Sequence, residues 1–306
     1  MLSPPNIDLT MSMPAVDHPF RLQYLQDESD QTLVQKALDG QKEALEALVR
    51  RHQPYIYNVA WKLVYDPDDA LDLTQEALVK VVTKLSQYRQ EGEFRAWLYR
   101  IVFNHFLKMK KQHCEIKAPN FDAFQTVLDQ TPDQELSAQE EMELKESIED
   151  WRLRCMSGML LCLDRKQRLV YVLGELFGLD HQLGAELLET SPGNFRVMLH
   201  RARKDLYQFM DRQCGLVNPK NPCRCKKKTK AGIASGHINP KDLRFNLETR
   251  KRISDFLAEK SGELVKVVHE KQSRLQRDSP FREEFTKEQL VEQVLDDQRL
   301  REWYDV

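Results

Sequence analysis

Glycine is scarce in this chain, with 11 among 306 residues, and alternating β-branched runs are nearly absent. Both features disfavour sheets and point to helices throughout. No apolar stretch is long enough to cross a bilayer, and the N-terminus has no basic region followed by an apolar core. Neither membrane insertion nor a secretory signal is therefore expected. The six cysteines, met without such a signal, point to reduced thiols in the cytoplasm rather than disulfides. Also missing are a nucleophile–base set, a phosphate-cradling glycine loop and a paired-acid motif. An enzyme is not expected.

What the chain does have is charge, sorted by sign. Charged residues make up 31% of it and apolar ones 41%, for a net charge of −2. Between Glu115 and Asp150 lie 11 acids against Lys117 and Lys145. Between Arg196 and Lys230 the balance reverses, 11 bases standing against Asp205 and Asp211. For nucleic-acid binding the local sign matters more than the total.

These features divide the chain into segments. Residues 1–27, with Pro4, Pro5, Pro14 and Pro19, read as a tail, and residues 28–113 as a first helical block. Residues 114–150 form an acidic, weakly patterned linker, and 151–212 a second helical block. A short basic cysteine segment occupies 213–230. Residues 231–306 read as two or three amphipathic helices that need something to pack on, with a break near Ser279-Pro280. The expected fold is all-α: two small helical domains joined by an acidic linker, followed by a helical C-terminal extension.

In the first block, Asp66-Pro67 is a strong helix start, with a capping carboxylate and a proline suited to the first helical position. Ala70, Leu71, Leu73, Ala77, Leu78 and Val81 then fall on one apolar arc. Asp68, Asp72, Gln75, Glu76 and Val79 fall opposite. On pattern alone this is an amphipathic helix with a solvated face. After Gly92 a second helix carries Phe94, Trp97, Tyr99, Phe103 and Phe106 among Arg95, Arg100, Asn104, His105 and Lys108. Most of these aromatics, Trp97 especially, suit a core. Yet their spread around the helix, interleaved with bases, also suits stacking and charge neutralisation on single-stranded DNA.

In the second block Asp180 can cap a short helix, Glu189-Thr190 supplies a turn, and Ser191-Pro192 starts the next helix. That helix presents Arg196, His200, Arg201, Arg203 and Lys204, a set that fits a major groove.

Two stretches in the first block, DPDDALDLTQEALVKVV (Asp66–Val82) and EFRAWLYRIVFNH (Glu93–His105), together resemble the helical core of bacterial sigma factors. LDRKQRLVYVLGELFGLDHQLGAELLETSPGNFRVMLHRARKDL (Leu163–Leu206) resembles their promoter-reading helix-turn-helix. The chain is similar to extracytoplasmic-function sigma factors of the sigma-70 family, with region 2 at 28–113 and region 4 at 151–212. The resemblance implies a dissociable subunit that binds core RNA polymerase, through clamp and flap regions, and directs it to promoter DNA. It places polymerase docking on Asp68, Asp72, Gln75, Glu76 and Val79. It assigns −10 recognition and melting to the loop Gln90, Glu91, Gly92, Glu93 and to Arg100, Asn104 and Lys108. Gly193, Asn194, Arg196 and His200 then face the −35 element, with Arg201 and Arg203 on phosphates. The sequence departs from the family pattern at Leu183, Gly184, Val197 and Met198. A separate anti-sigma regulator remains an open partner.

In the family, the linker threads toward the polymerase active site and RNA exit path; by composition alone an unstructured acidic spacer fits equally. No cofactor is required. Cys214, Cys223 and Cys225 form C-x8-C-x-C, a set of soft thiolates suited to Zn²⁺ or Cu(I), to a redox switch, or to no role at all. Cys114, Cys155 and Cys162 read as packing. Lys226, Lys227 and Lys228 are candidates for further phosphate contacts. A rival reading is a stand-alone metal- or redox-responsive helix-turn-helix regulator. A third is a degenerate sigma-like protein that binds polymerase without reading DNA.

Overall fold

Ser29 opens the first helix by accepting the amide of Thr32 at 3.2 Å, which satisfies one of the free N–H groups of a helix start. This begins the described part of a computed structural model, which covers residues 29–89, 94–110, 115–116 and 119–243. The tail at 1–27, Cys114 and everything after Leu243 lie outside it. So do Phe245, Leu247 and the later apolar positions of the expected C-terminal helices.

The first block folds as four helices. Helix α1 (Asp30–Leu38) is followed by α2 (Lys42–Val64), which ends where Tyr65 takes a left-handed φ of 56°. Helix α3 (Pro67–Thr83) starts as the sequence predicts, with Asp66 accepting the amides of Asp68 and Asp69 at 3.1 and 3.2 Å. A 3-10 turn at Leu85–Gln87 precedes α4 (Phe94–Lys108). Helices α1 and α3 pack on α2, and α4 packs on α3. Leu33, Val34, Leu45, Ile56, Leu63, Leu73, Leu78 and Phe103 are buried between them.

The stretch 114–150 differs from the weakly patterned linker expected for it. It carries α5 (Phe121–Gln130), α6 (Ala138–Glu143) and the start of α7 (Lys145–Leu161), so the second block's first helix begins ahead of residue 151. The cause is local. Asn120 caps α5, and Ser137 and Glu140 form a reciprocal capping box on α6. Phe124 of α5 lies against Gly158 of α7, and Phe121 meets Phe209 with ring centroids 5.0 Å apart. Apolar side chains too few to show as a period still anchor the acidic helices.

The second block continues with α8 (Arg165–Tyr171), which runs into a π turn at Val172–Leu176, where Phe177 N–H reaches back to Val172 O at 3.0 Å. Then come α9 (His181–Leu187) and α10 (Pro192–Gln213). After a loop, α11 (Cys225–Ala234) crosses the boundary placed at residue 230 and packs on α7. The fold is all-α. Among the described residues the one extended contact is an isolated bridge between Cys214 and Cys223.

The two blocks meet through two arginines of α8. Arg168 is 2% exposed. It donates to Leu160, Leu161 and Leu163 carbonyls at the end of α7, to Leu63 O of α2 at 2.8 Å, and to Glu115 at 3.0 Å. Arg165 donates to Phe106 O, Met109 O and Lys110 O at the end of α4 and grips the same Glu115 at 2.5 Å. Both guanidinium groups lie over the Phe106 ring, at 5.1 and 5.9 Å. One buried carboxylate and a set of helix-end carbonyls thus satisfy two cations that burial alone would penalise.

A second buried cluster fixes the start of the first block. Asp30 meets Arg51 at 2.6 Å, His52 at 3.3 Å and Arg95 at 3.7 Å. Burial works to raise the Asp30 carboxyl, but hydrogen bonds and charge from His52 and then Arg51 outweigh it and hold it at about 2. Burial also lowers His52, against the opposing pull of Asp30.

Two outcomes are expected. Replacing Arg168 with Met leaves Glu115 short of a partner and the helix-end carbonyls bare, and should cost about 3–5 kcal/mol in urea unfolding. Stability should also fall with acid in two stages. Below 6.5 the unfolded His52 takes a proton that the buried one refuses. From 3.8 toward about 2 the contribution of the depressed Asp30 carboxyl is lost. Unfolding free energies measured across that range check both windows.

Candidate polymerase and promoter interfaces

On α3, Asp68 and Asp72 are exposed and Gln75 and Glu76 half-buried along one side. Val79 does not join them. At 1% exposure it belongs to the core, because the last turns of α3 are packed by α4 and by the Leu85–Gln87 turn. The polar face is therefore shorter than the helical period implies, ending near Glu76.

On α4 the aromatic spread resolves toward the core. Phe94, Tyr99, Phe103 and Phe106 are all buried. Trp97, expected to be the most buried, is only half-buried, resting on Tyr88 and Phe94 at 5.5 and 5.6 Å. Among these five, Trp97 alone keeps surface for stacking. Asn104 and Lys108 are exposed. Arg100 is engaged, 3.5 Å from Glu186 of α9. His105 shares a 2.5 Å contact with Lys80; burial, then that ammonium, lowers its pKa. Gln90, Glu91, Gly92 and Glu93 lie outside the described residues.

The helix-turn-helix forms where the sequence places it. Asp180 accepts the amides of Gln182 and Leu183 at 2.8 and 3.0 Å, Glu189 turns the chain at a φ of 50°, and Ser191 caps α10. Gly184, one of the departures from the family pattern, has a steric reason. A Cβ there would sit 2.5 Å from the Phe195 ring, so glycine lets α9 and α10 cross closely. Along α10, Gly193, Asn194, Arg196, His200 and Arg201 are exposed. Asn194 is steadied by a 2.7 Å bond to Thr190. Val197 is 47% exposed, beside Arg196, and Met198 is half-buried. Arg203 donates to Glu175 at 2.6 Å, so a phosphate contact would have to compete with that carboxylate.

The lysines of the basic cysteine segment are paired with acids of the linker. Lys226 pairs with Glu141 and Lys230 with Glu140, each at 2.5 Å; Lys227 pairs with Glu135. Lys228, 4% exposed, reaches Asp133 at 3.1 Å and Thr131 O at 2.8 Å. Lys230, with Ser137, holds Glu140 at about 2. The acids and bases that the sequence keeps apart are joined in the fold. Cys214 ends α10, Cys223 lies in the loop and Cys225 opens α11. Cys155 packs against the core as expected, and burial first, then the nearby thiols of Cys225, Cys214, Cys223 and Cys162, push its own thiol up.

Family models match both blocks: sigma-70 region 2 over residues 48–113 and sigma-70 region 4 over residues 153–206. The chain is 30% identical over 174 residues to the RNA polymerase sigma factor YlaC of Bacillus subtilis, covering 55% of this chain and 93% of that one. It is 30% identical over 164 residues to the ECF RNA polymerase sigma factor SigE of Mycolicibacterium smegmatis, covering 53% and 60%. It is 38% identical over 80 residues to the RNA polymerase sigma-H factor of Pseudomonas aeruginosa, covering 26% and 42%. The match thus spans less than two thirds of the length of the last two relatives. Among solved structures it is similar to CnrH in complex with the cytosolic domain of CnrY, at 22% identity and a TM-score of 0.42, covering 60% of this chain and 98% of that one. The chain belongs to the sigma-70 family of RNA polymerase sigma factors. Within that family it is of the extracytoplasmic-function type.

Sequence reasoning missed Arg165, Arg168 and Glu115. Glu115 counted there as one acid among many, and Arg168 stood in the basic run Arg165-Lys166-Gln167-Arg168 ahead of an apolar stretch, with nothing in the pattern to single it out.

Lys228 and its neighbours differ in burial, and so in expected effect. Lys228→Glu sets a second carboxylate beside Asp133 in a buried position and should loosen α11 by about 3 kcal/mol, seen as faster amide exchange over 225–234. Lys227→Glu, at an exposed pair, should cost less than about 1 kcal/mol.

Proposed function

We infer that the chain binds core RNA polymerase and directs it to particular promoters, recognising −35 and −10 elements and leaving catalysis to the polymerase. The observation that carries this reading is the ordered pair of region 2 and region 4 matches, each with its polar face open. A stand-alone repressor needs the exposed face of α10 but not the acidic face of α3. In this reading Asp68, Asp72, Gln75 and Glu76 dock on the polymerase clamp. Asn104, whose amide both donates and accepts, reads a base edge near the melted element, and Lys108 and Arg100 neutralise backbone charge. Extruding a base costs a few kcal/mol, roughly, and half-buried Trp97 offers a face against which part of it can be regained. On α10, Arg196 and His200 face base edges and Arg201 a phosphate. Exposed Val197 suits a thymine methyl group, which makes sense of its departure from the usual pattern.

No cofactor enters this reading. Among the described residues no helix is long and apolar enough to cross a membrane, and the proposed site of action is the cytoplasm, where polymerase and promoter are. A flap contact by region 4 and a separate anti-sigma regulator belong to the proposal as family expectations.

Run-off transcription with purified core polymerase and a genomic promoter pool tests the function. Wild type should give promoter-specific transcripts, and both Asp72→Arg and Asn104→Ala should lose at least about tenfold, which for Asn104 lies within roughly the 1–3 kcal/mol of one good base contact. DNA binding by the protein alone, with no transcript, would leave the stand-alone regulator instead.

A further inference from the structure

The loop after α10 is held more tightly than its turn-rich composition suggests. Gly215 N–H donates to Cys223 O at 3.1 Å, and Asn221 donates to Asp211 O at 2.8 Å and Cys214 O at 3.2 Å. Arg224 reaches into the same loop and donates to Pro219 O at 2.7 Å. A Cβ on Gly215 would meet the Arg224 guanidinium and Cys223 O, so the chain needs glycine there. This folding brings the Cys214 and Cys223 backbones side by side, with Cys225 two residues on. Helix α11 is then laid on α7, where Gly232 admits the Trp151 ring. Trp151 is one helical turn before Cys155. Three thiols from the tail and one from the second block therefore gather at one junction.

We propose that Cys155, Cys214, Cys223 and Cys225 bind one Zn²⁺ as a four-thiolate site that fastens the C-terminal segment to region 4. The surroundings fit an anionic sulfur cluster. The turn after α10 holds Cys214 in place, with Val217 N–H donating to Cys214 O at 3.1 Å and Asn218 N–H to the same oxygen at 3.0 Å. Arg152, whose Nε is buried without a hydrogen-bond partner, lies beside Cys225; Arg224 acts on Cys214 and Lys228 on Cys223. Arg224, which donates to backbone carbonyls, can offset part of the two negative charges left when four thiolates enclose a divalent ion; Arg152 and Lys228 share their charge with Glu149 and Asp133. Among the described residues no group of three or more His, Cys, Asp or Glu side chains stands arranged to hold a metal ion, so the thiols would have to move together on binding. Binding would close the cluster: four S–H bonds break, four S–Zn bonds form, and four protons leave to solvent. Soft sulfur donors in fourfold number favour tetrahedral zinc over harder ions. The inference does not depend on promoter recognition, because it concerns how the tail is fastened.

The test uses the full chain purified under reducing conditions with zinc, with bound metal measured by mass spectrometry. One zinc per chain is expected. Replacement by Co²⁺ should give the intense charge-transfer and visible bands of a tetrahedral four-sulfur site. Cys155→Ser should weaken metal binding about a hundredfold or more, while Cys162→Ser, whose sulfur instead contacts Gly158 O at 3.4 Å, should leave it unchanged. No retained metal, a Cys214–Cys223 disulfide in place of it, or an unaltered cobalt spectrum in Cys155→Ser would each overturn the proposal. If Cys155→Ser does not fold, the wild-type cobalt spectrum still counts the sulfurs.

Discussion

Glu115 is where the two halves of this protein become one structure. It is a single carboxylate at the start of the linker, 4% exposed, and it accepts from two arginines that also bind the C-terminal ends of α2, α4 and α7. Helix C-termini carry unpaired carbonyls and partial negative charge, and here three of them converge on two guanidinium groups. Each component would be costly alone. Together they satisfy one another, and the arrangement sets how α8, and the helix-turn-helix behind it, meets the first block.

That junction bears on the proposed function because it holds both DNA-facing helices near one another. Arg100 of α4 is within 3.5 Å of Glu186 of α9, a contact between the expected melting helix and the first helix of the promoter-reading pair. Exposed pairs of this kind are weak, worth about 1 kcal/mol or less. A stronger competitor such as a phosphate can displace the pair. The arginine network beneath is not so easily exchanged.

Much of this was legible in the sequence. Local rules placed the caps that bound the two DNA-facing blocks: Asp66, Asp180 and Ser191 all accept the amides expected of them. The exposed face of α10 followed from its charges. Failures came where a side chain's fate is decided by a partner far along the chain. Val79 obeys the period of the polar face yet is buried by α4 and the turn before it. The acidic linker looked unpatterned because its order comes from lysines about 90 residues away and from aromatic rings of α5 set against α7 and α10. Gly184 looked like a defect, yet the Phe195 ring packs where its side chain would be. The residues from 244 onward, and the loop at 90–93, lie outside what the structure describes.

The π turn at Val172–Leu176 also sets the phase of the residues on its C-terminal side. Each residue of a regular helix advances by about 100°, and the wider turn takes in one residue more than an α-turn would. A helical wheel drawn straight through residues 165–177 therefore loses register after Val172. Positions counted from Arg168 no longer point where the count says. Glu175 comes round to meet Arg203 while Leu176 and Phe177 turn into the core. An alignment with a relative that keeps a regular helix here would need a one-residue gap in the middle of an unbroken helical run, not in a loop.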